Sequence, residues 1–179
     1  DQRLTGSIDV YFRETTDLLN YAPTVSMSAF RNQAWQNIGS LENKGIELSL
    51  DWKAIRTKDL FWTLNYNFTY NKNEITDLSG VSTDGQPVPN TGLTIGTDKY
   101  LQYNQVGQPY NSFYVYQQAY DANGKAIENC VVDRNGDGQI TEGDRYFYKS
   151  PAAPVTMGFA SRLEYKKWDL GFSLLASFD

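Results

Sequence analysis

The chain has 179 residues, with 16 Lys or Arg, 21 Asp or Glu and no His, and its formal net charge at pH 7 is −5. This acidic balance argues against a nucleic-acid-binding surface. Mean hydropathy is −0.54 and no run of 18 apolar residues occurs, so no membrane-spanning helix is expected. Aromatic residues make up 15% of the chain and include 13 Tyr, a side chain that favours interfaces between apolar and wet surroundings.

Five segments alternate between apolar or aromatic residues and polar ones, which is the period-two pattern of a β-strand. In chain order they are residues 7–13, 45–53, 61–70, 157–166 and 168–178. Residues 61–70 are the clearest case, because the even-numbered positions from Trp62 to Tyr70 are apolar or aromatic, whereas Asn65 and Asn67 lie on the other face. The sequence predicts an all-β fold of antiparallel strands.

Strand length favours a membrane barrel. Ten residues of strand measure roughly 33 Å, and a tilt of about 40° gives a rise of about 25 Å, the height of the apolar band on a transmembrane β-barrel. Strands of soluble β-sandwiches also alternate, but they usually run about five to six residues. The prediction is part of a transmembrane β-barrel, and the alternative is a soluble, calcium-stabilised β-sandwich that binds carbohydrate. The apolar faces discriminate, since they meet lipid in a barrel and a second sheet in a sandwich.

The connections between these segments alternate in length. They are residues 14–44, 54–60 and 71–156, followed by a tight turn at Lys166 and Lys167. Outer-membrane barrels alternate short periplasmic turns with long extracellular loops in this way. The first, third and fifth strands are therefore predicted to run outward. The residues predicted to face lipid are Leu48, Leu50, Leu64, Phe68, Phe172 and Leu174.

The connection formed by residues 71–156 is too long for a plain link, because structureless loops above about 15 residues are usually functional or disordered. We expect a large folded extracellular loop that contributes to partner docking and substrate entry. Aromatic residues dominate interface anchors. The residues predicted to contact a partner or substrate are Tyr110, Phe113, Tyr114 and Tyr116, and the alternative is that they pack inside the loop.

Residues 133–144 read D-R-N-G-D-G-Q-I-T-E-G-D, which has the spacing of a calcium-binding loop. The predicted ligands are Asp133, Asn135, Asp137, Gln139, Thr141 and Asp144. The last position departs from the usual Glu, and the shorter Asp reaches the ion less well. Asn-Gly and Asp-Gly pairs also form ordinary turns, so a metal-free turn is the alternative. Calcium is the only cofactor that the sequence indicates.

No catalytic residue is predicted. Cys130 is the only cysteine and the chain contains no His to activate it. The acidic residues are scattered, and no pair of nucleophile and base is evident.

The chain resembles the SusC/RagA family of TonB-dependent outer-membrane transporters. Five segments carry the resemblance, in the family's order: G-S-I-D-V-Y-F-R-E-T-T-D-L-L at residues 6–19, N-I-G-S-L-E-N-K-G-I-E-L-S-L at 37–50, V-G-Q-P-Y-N-S-F-Y at 106–114, D-R-N-G-D-G-Q-I at 133–140 and the P-x-x-P at 151–154. The resemblance implies that residues 1–179 are a fragment of one barrel domain of 22 strands with an N-terminal plug, located in the cell outer membrane. It further implies a SusD-like surface lipoprotein as partner, TonB acting through the N-terminal region absent here, and uptake of glycans or peptides.

Overall fold

The computed structural model describes residues 2–23, 33–37, 39–79, 85–96 and 99–179. These residues form thirteen β-strands and one short 3-10 helix, Glu142–Asp144. The strands are β1 (Leu4–Thr15), β2 (Leu19–Pro23), β3 (Gln33–Asn37), β4 (Ser40–Arg56), β5 (Leu60–Asp77), β6 (Val88–Gly96), β7 (Lys99–Asn104), β8 (Ser112–Tyr116), β9 (Gln118–Tyr120), β10 (Ala126–Val131), β11 (Arg145–Phe147), β12 (Val155–Tyr165) and β13 (Trp168–Phe178). In this described part of the chain, no helix has the length and apolar character needed to cross a membrane.

The five predicted strands form one sheet in the order β1-β4-β5-β12-β13. β12 pairs antiparallel with β5 and with β13, and this register places Tyr66, Phe159 and Leu174 side by side on the apolar face. On β13, Leu170, Phe172 and Leu174 are 67%, 52% and 63% exposed. An apolar face that is open in this way fits the wall of a membrane barrel, where lipid would cover it.

The opposite face of this sheet is polar and internally paired. Asn65 donates a hydrogen bond to the carboxylate of Asp51 on the neighbouring strand. Arg162 forms ion pairs with Glu164 at 3.0 Å and with Asp169 at 2.6 Å. The two faces therefore differ as the alternating pattern predicts.

Ser161 is a polar residue on the apolar face. It lies opposite Leu64 on β5 and Phe172 on β13. The indole Nε1 of Trp62 donates a hydrogen bond of 3.0 Å to the Ser161 hydroxyl, and Ser161 is 8% exposed. One aromatic side chain of the same face thus pairs with the hydroxyl and covers it.

The turns at one end of the sheet are as short as predicted. Between β4 and β5, Thr57 N–H donates to the Leu60 carbonyl at 2.8 Å, and Leu60 N–H donates to the Thr57 hydroxyl at 3.0 Å. Between β12 and β13 the turn consists of Lys166 and Lys167, and Lys166 adopts a positive φ of 53°. Both turns match the predicted positions.

The connections at the other end contain more structure than the pattern indicated. β4 has 17 residues and β5 has 18, well beyond the predicted segments. The connection predicted over residues 14–44 contains a hairpin of β2 and β3, and its residues 24–32 and 38 lie outside the described residues. The connection over residues 71–156 contains a four-stranded sheet, β11-β8-β7-β6, and a β9-β10 hairpin.

The chain divides into two compact units, one of Asp1–Glu14, Glu42–Asn73 and Ala152–Asp179, the other of Thr15–Leu41 and Glu74–Pro151. The first contains the pairings of β12 with β5 and with β13, whereas the β2–β3 hairpin, the four-stranded sheet and the β9–β10 hairpin belong to the second. The second has a small apolar core of Ile75, Leu78 and Val88, against which Leu18 and Tyr110 pack. Within it, Gly39 has a φ of 136°, and a Cβ at Gly39 would lie 1.9 Å from the Asp77 carbonyl oxygen. Only a glycine permits this close approach of two backbones.

Candidate functional site

The aromatic residues predicted to make contacts lie on different elements of the second unit. Tyr110 packs against the core of Ile75, Leu78 and Val88, and its burial raises the pKa of the Tyr110 hydroxyl. Phe113 belongs to β8, and its N–H donates to the Lys149 carbonyl at 2.8 Å. Both side chains are half-buried.

Tyr114 belongs to a stack of aromatic rings around Arg145. Its ring lies 5.1 Å from that of Tyr103 and 4.8 Å from that of Phe147, measured between centroids. The Arg145 guanidinium lies 4.6 Å from the Tyr114 ring centroid and 4.7 Å from that of Tyr103. A cation at this distance from ring faces is stabilised by the ring quadrupole.

Arg145 also binds several oxygen atoms. It donates to the Tyr114 carbonyl at 2.6 Å and 3.1 Å, to the Tyr100 carbonyl at 3.0 Å, to the Tyr103 hydroxyl at 3.2 Å and to Glu142 at 2.7 Å. Burial opposes the charge of Arg145, but the hydrogen bonds to Glu142 and Tyr103 outweigh it, so its pKa is raised. Sequence reasoning did not identify Arg145, because an isolated basic residue at the start of a three-residue strand has no motif.

Tyr116 lies at the edge of this cluster. Its hydroxyl donates to Glu142 at 3.3 Å, and its ring centroid lies 6.0 Å from Arg145. Burial, together with the nearby Glu142 carboxylate, raises the pKa of Tyr116. The four predicted contact residues are therefore not one patch: Tyr114 and Tyr116 belong to the Arg145 cluster, whereas Tyr110 belongs to the apolar core.

The loop of residues 133–144 is closed by Asp144, which is fully buried. Its carboxylate accepts hydrogen bonds from the N–H groups of Thr141 at 2.7 Å, Arg134 at 2.8 Å and Asn135 at 3.3 Å. These donors, with that of Thr141 foremost, hold the pKa of Asp144 below its ordinary value. The sequence predicted Asp144 to be a weak calcium ligand. In the structure its carboxylate accepts hydrogen bonds from both ends of the loop, at Arg134 and Asn135 and at Thr141.

The other acidic and amide side chains of the loop form turns. Asp133 accepts from Gly136 N–H at 2.7 Å and Gly138 N–H at 2.8 Å. Asn135 accepts from Asp137 N–H at 3.0 Å, and Asp137 accepts from Gln139 N–H at 2.8 Å. Each of these oxygens retains a lone pair, so the turns leave acceptor capacity for a cation.

The acidic members of the predicted ligand set do not form a metal site by themselves. Within the described residues, no group of three or more acidic, His or Cys side chains is close enough to hold a metal. Thr141 accepts from Gly143 N–H at 3.3 Å and caps the short helix that follows it. The geometry is that of a loop held by its own hydrogen bonds, and calcium binding stays a prediction.

Similar proteins are known that match almost the whole length of this chain. The family described as "TonB dependent receptor-like, beta-barrel" matches residues 1–173. The chain is 51% identical over 177 residues to the TonB-dependent receptor SusC of Bacteroides thetaiotaomicron, and it is 33% identical over 188 residues to the TonB-dependent receptor P3 of Formosa agariphila. These alignments cover 98% and 99% of this chain but only 18% and 19% of the relatives, so the chain spans about a fifth of their length.

Two solved structures also resemble this chain over nearly its whole length. The RagAB peptide transporter matches with a TM-score of 0.66 and 26% identity, over 97% of this chain and 19% of that chain. The RagAB peptide importer in its open-open state matches with a TM-score of 0.69 and 27% identity, over 98% and 19%. The alternating strands, the open apolar face and these matches confirm the predicted fold and the SusC/RagA resemblance: the chain belongs to the β-barrel family of TonB-dependent receptors.

Proposed function

We propose that this chain is part of an outer-membrane importer that takes up a glycan or a peptide with energy supplied through TonB. The observation that carries the proposal is the apolar face of the five-stranded sheet, where Leu170, Phe172 and Leu174 are more than half exposed on a strand of 11 residues. Such a face suits the hydrocarbon region of a membrane, where every backbone group must be paired within the protein. The polar face, with Asn65, Asp51 and Arg162, suits a wet lumen.

The names of the relatives support import rather than catalysis. SusC is a TonB-dependent receptor, and RagAB is a peptide transporter. For this chain the substrate class is left between glycan and peptide. TonB would act through a part of the protein outside these 179 residues, as the resemblance implies.

The import proposal is tested in cells that carry the full-length gene. Uptake of fluorescent glycans and of fluorescent peptides is measured in the wild type, in a strain that lacks this gene and in a strain that lacks TonB function. We expect uptake of one substrate class to fall to background in both deletion strains. Equal uptake in all three strains for every substrate would overturn the proposal.

We further propose that the folded part of residues 71–156 contributes to docking of a SusD-like surface lipoprotein and to substrate entry. The support is the number of half-buried aromatic side chains there, since rigid aromatic rings often anchor interfaces. The residues proposed for these contacts are Tyr110, Phe113, Tyr114 and Tyr116.

The docking proposal needs variants that separate contact from internal packing. Tyr116→Phe keeps the ring and removes the hydrogen bond to Glu142, whereas Tyr116→Ala also removes the ring. We expect Tyr116→Ala, and the substitution of all four residues by Ala, to reduce lipoprotein co-purification, and Tyr116→Phe to leave it close to wild type. Tyr165→Ala, an exposed tyrosine on β12, is the control. Unchanged co-purification and uptake in the fourfold variant would leave these residues with a packing role alone.

A further inference from the structure

Two short turns lie next to each other at one end of the five-stranded sheet. The turn between β4 and β5 contains Lys58 and Asp59, and the turn between β12 and β13 consists of Lys166 and Lys167. The Lys166 N–H donates to the Asp59 carbonyl at 2.9 Å, which ties the two turns together. Three lysines and one aspartate therefore share this corner of the sheet, and it carries a net positive charge at pH 7.

The apolar face ends in an aromatic row at the same corner. Tyr165 on β12 pairs with Leu60 on β5 and with Trp168 on β13. β12 has a neighbouring strand on each side, yet Tyr165 is still 46% exposed. Further strands of a barrel extend a sheet at its edges and do not cover its lipid face. The exposure of Tyr165 is thus a property of the face on which it lies.

Lys166 connects the basic turn to this aromatic row. Its Nζ lies 5.3 Å from the centroid of the Tyr165 ring, and a cation at this distance is attracted by the ring face. The contact places the ammonium group on the lipid side of the sheet. The acidic residues Glu164 and Asp169 lie on the opposite face, where both pair with Arg162.

The aromatic row lies at the depth of a membrane interface. The paired residues from Leu60↔Tyr165 to Tyr70↔Val155 rise by about 26 Å at a tilt of about 40°, close to the apolar band of about 25 Å on a membrane barrel. Tyr and Trp anchor a protein at such an interface. Lys166 and Lys167 follow immediately after Tyr165, so they lie at the depth of the lipid head groups. Short turns of outer-membrane barrels are periplasmic, which assigns these head groups to the periplasmic leaflet.

The chemistry of this corner favours an anionic phospholipid. A lysine ammonium is a compact cation with three donors, and it binds phosphate oxygens as a point charge. Basic clusters beside a membrane attract anionic lipids, whereas the head group of a zwitterionic lipid carries a cation of its own that lysine repels. Free phosphate would use the lysines alone. A lipid would also contact Trp168 through its glycerol and upper acyl chain.

We propose that the segment Tyr165–Trp168 binds the head group of an anionic phospholipid of the periplasmic leaflet, an inference that rests on the proposed function in the outer membrane. Lys166 and Lys167 bind the phosphate, and Trp168 packs against the glycerol and the upper acyl chain. Tyr165 holds the Lys166 ammonium on the lipid side. The bound lipid fixes the depth of this end of the sheet.

The test uses the full-length transporter in vesicles of phosphatidylcholine with a minority of phosphatidylglycerol. Photoreactive phosphatidylglycerol and photoreactive phosphatidylcholine are added separately at equal concentration, and cross-links to residues 165–168 are quantified by peptide mass spectrometry. The variant carries Lys166→Asn and Lys167→Gln, because asparagine tolerates the positive φ of 53° at position 166. The matched control carries Lys53→Gln and Arg56→Gln. These two residues line a cavity with Phe61 and Thr63 of the opposite face, so the control changes the same charge at the same end of the sheet.

We expect the wild type to be labelled by the anionic probe about fivefold or more above the neutral probe, which is the effect of one lysine near an anionic membrane surface. The preference should fall below about twofold in the lysine variant, persist in the control and shrink in high salt. Equal labelling of the wild type by both probes, or a preference that the lysine variant keeps, would overturn the inference. So would loss of the preference in inorganic phosphate at constant ionic strength, since the site would then be one for free phosphate. If the variant fails to insert, the salt series on the wild type decides, and a preference that salt does not change refutes charge recognition.

The labelling experiment needs neither TonB nor substrate, so it separates this inference from the import proposal. Absence of labelling at residues 165–168 by either probe would contradict the lipid-facing assignment on which the import proposal rests. Labelling by both probes without preference would leave that assignment intact, and the head-group inference alone would fail. An anionic preference in cells that show no TonB-dependent uptake would support the head-group inference, and the import proposal alone would fail.

Discussion

Arginine substituted on the apolar face should cost far more than arginine on the polar face at the same depth. The residue pairs from Leu60↔Tyr165 to Tyr70↔Val155 join β5 to β12 without a break. Ten intervals of about 3.4 Å give about 34 Å, and a tilt of about 40° reduces this to a rise of about 26 Å. Leu64 lies four intervals from Leu60, hence about 10 Å up and about 3 Å from the middle of this span.

An arginine near the bilayer midplane costs roughly 2–4 kcal/mol on the lipid face of a barrel. We therefore expect Leu64→Arg to lower the free energy of unfolding by about that amount. Asn65→Arg is the matched change at nearly the same depth on the opposite face, and its new cation would lie beside Asp51. Its cost should be less than about 1 kcal/mol, since exposed ion pairs contribute little in either direction.

The assay is denaturant titration of the full-length barrel in lipid vesicles, followed by tryptophan fluorescence and by the gel mobility of the folded protein. Leu64→Ala is included to separate the loss of apolar contact from the burial of charge. Equal costs for Leu64→Arg and Asn65→Arg would refute the assignment of the two faces. A larger cost for Asn65→Arg would reverse it.

Three further predictions concern the second unit. Calorimetry should detect weak to moderate calcium binding to residues 133–144 that Asp133→Ala or Asp137→Ala abolishes; no heat at millimolar calcium would leave only the turn interpretation. The pKa of Asp144 is lower in the folded loop than the unfolded value of about 3.9, so its contribution to stability is complete above that value and is lost as the pH falls through the folded pKa. Hydrogen exchange at the amides of Arg134 and Thr141 should therefore accelerate on acidification after correction for intrinsic rates, and Asp144→Asn should remove this dependence; an identical dependence in the variant would contradict the assignment. Ile75→Ala should cost about 2–5 kcal/mol of local stability, because Ile75 is 1% exposed in the apolar core, and faster amide exchange at Ile75 and Gly107 is the measurement, with no change counting against that core.

The sheet was predictable because its strands have one apolar and one polar face. Successive residues of such a strand therefore alternate between apolar and polar side chains. Residues 61–70 and 168–178 lie within β5 and β13, and the Lys166–Lys167 turn is where the pattern breaks. The extension of β5 to Asp77 was not predictable, since residues 71–77 are mostly polar and one of the contacts there joins Asn73 to Asn43 on another strand. Alternating polarity predicts a strand only where its two faces meet different environments. It gives no signal where both faces of a strand are polar.

The candidate sites were predictable to different degrees. The spacing of residues 133–144 indicated a calcium-binding loop or a metal-free turn, and the turns are present because Asp and Asn side chains bond to nearby backbone N–H groups. Arg145 was missed because its partners, Tyr100, Tyr103 and Tyr114, are brought together only by the pairing of β7, β8 and β11. The same limit applies to the hydrogen bond from Tyr11 to Asn71, residues that are 60 positions apart and meet only across Gly45. A cluster assembled by long-range strand pairing leaves no local pattern.

The Trp62–Ser161 hydrogen bond on the apolar face also acts as a register marker. A slip of β5 by two residues against β12 would keep apolar side chains on the same face, so alternation alone does not prevent it. Such a slip would separate the indole N–H from the hydroxyl and leave both without a partner in hydrocarbon, at a cost of several kcal/mol. A single serine among apolar neighbours thus distinguishes the correct register of β5 and β12 from the register shifted by two residues.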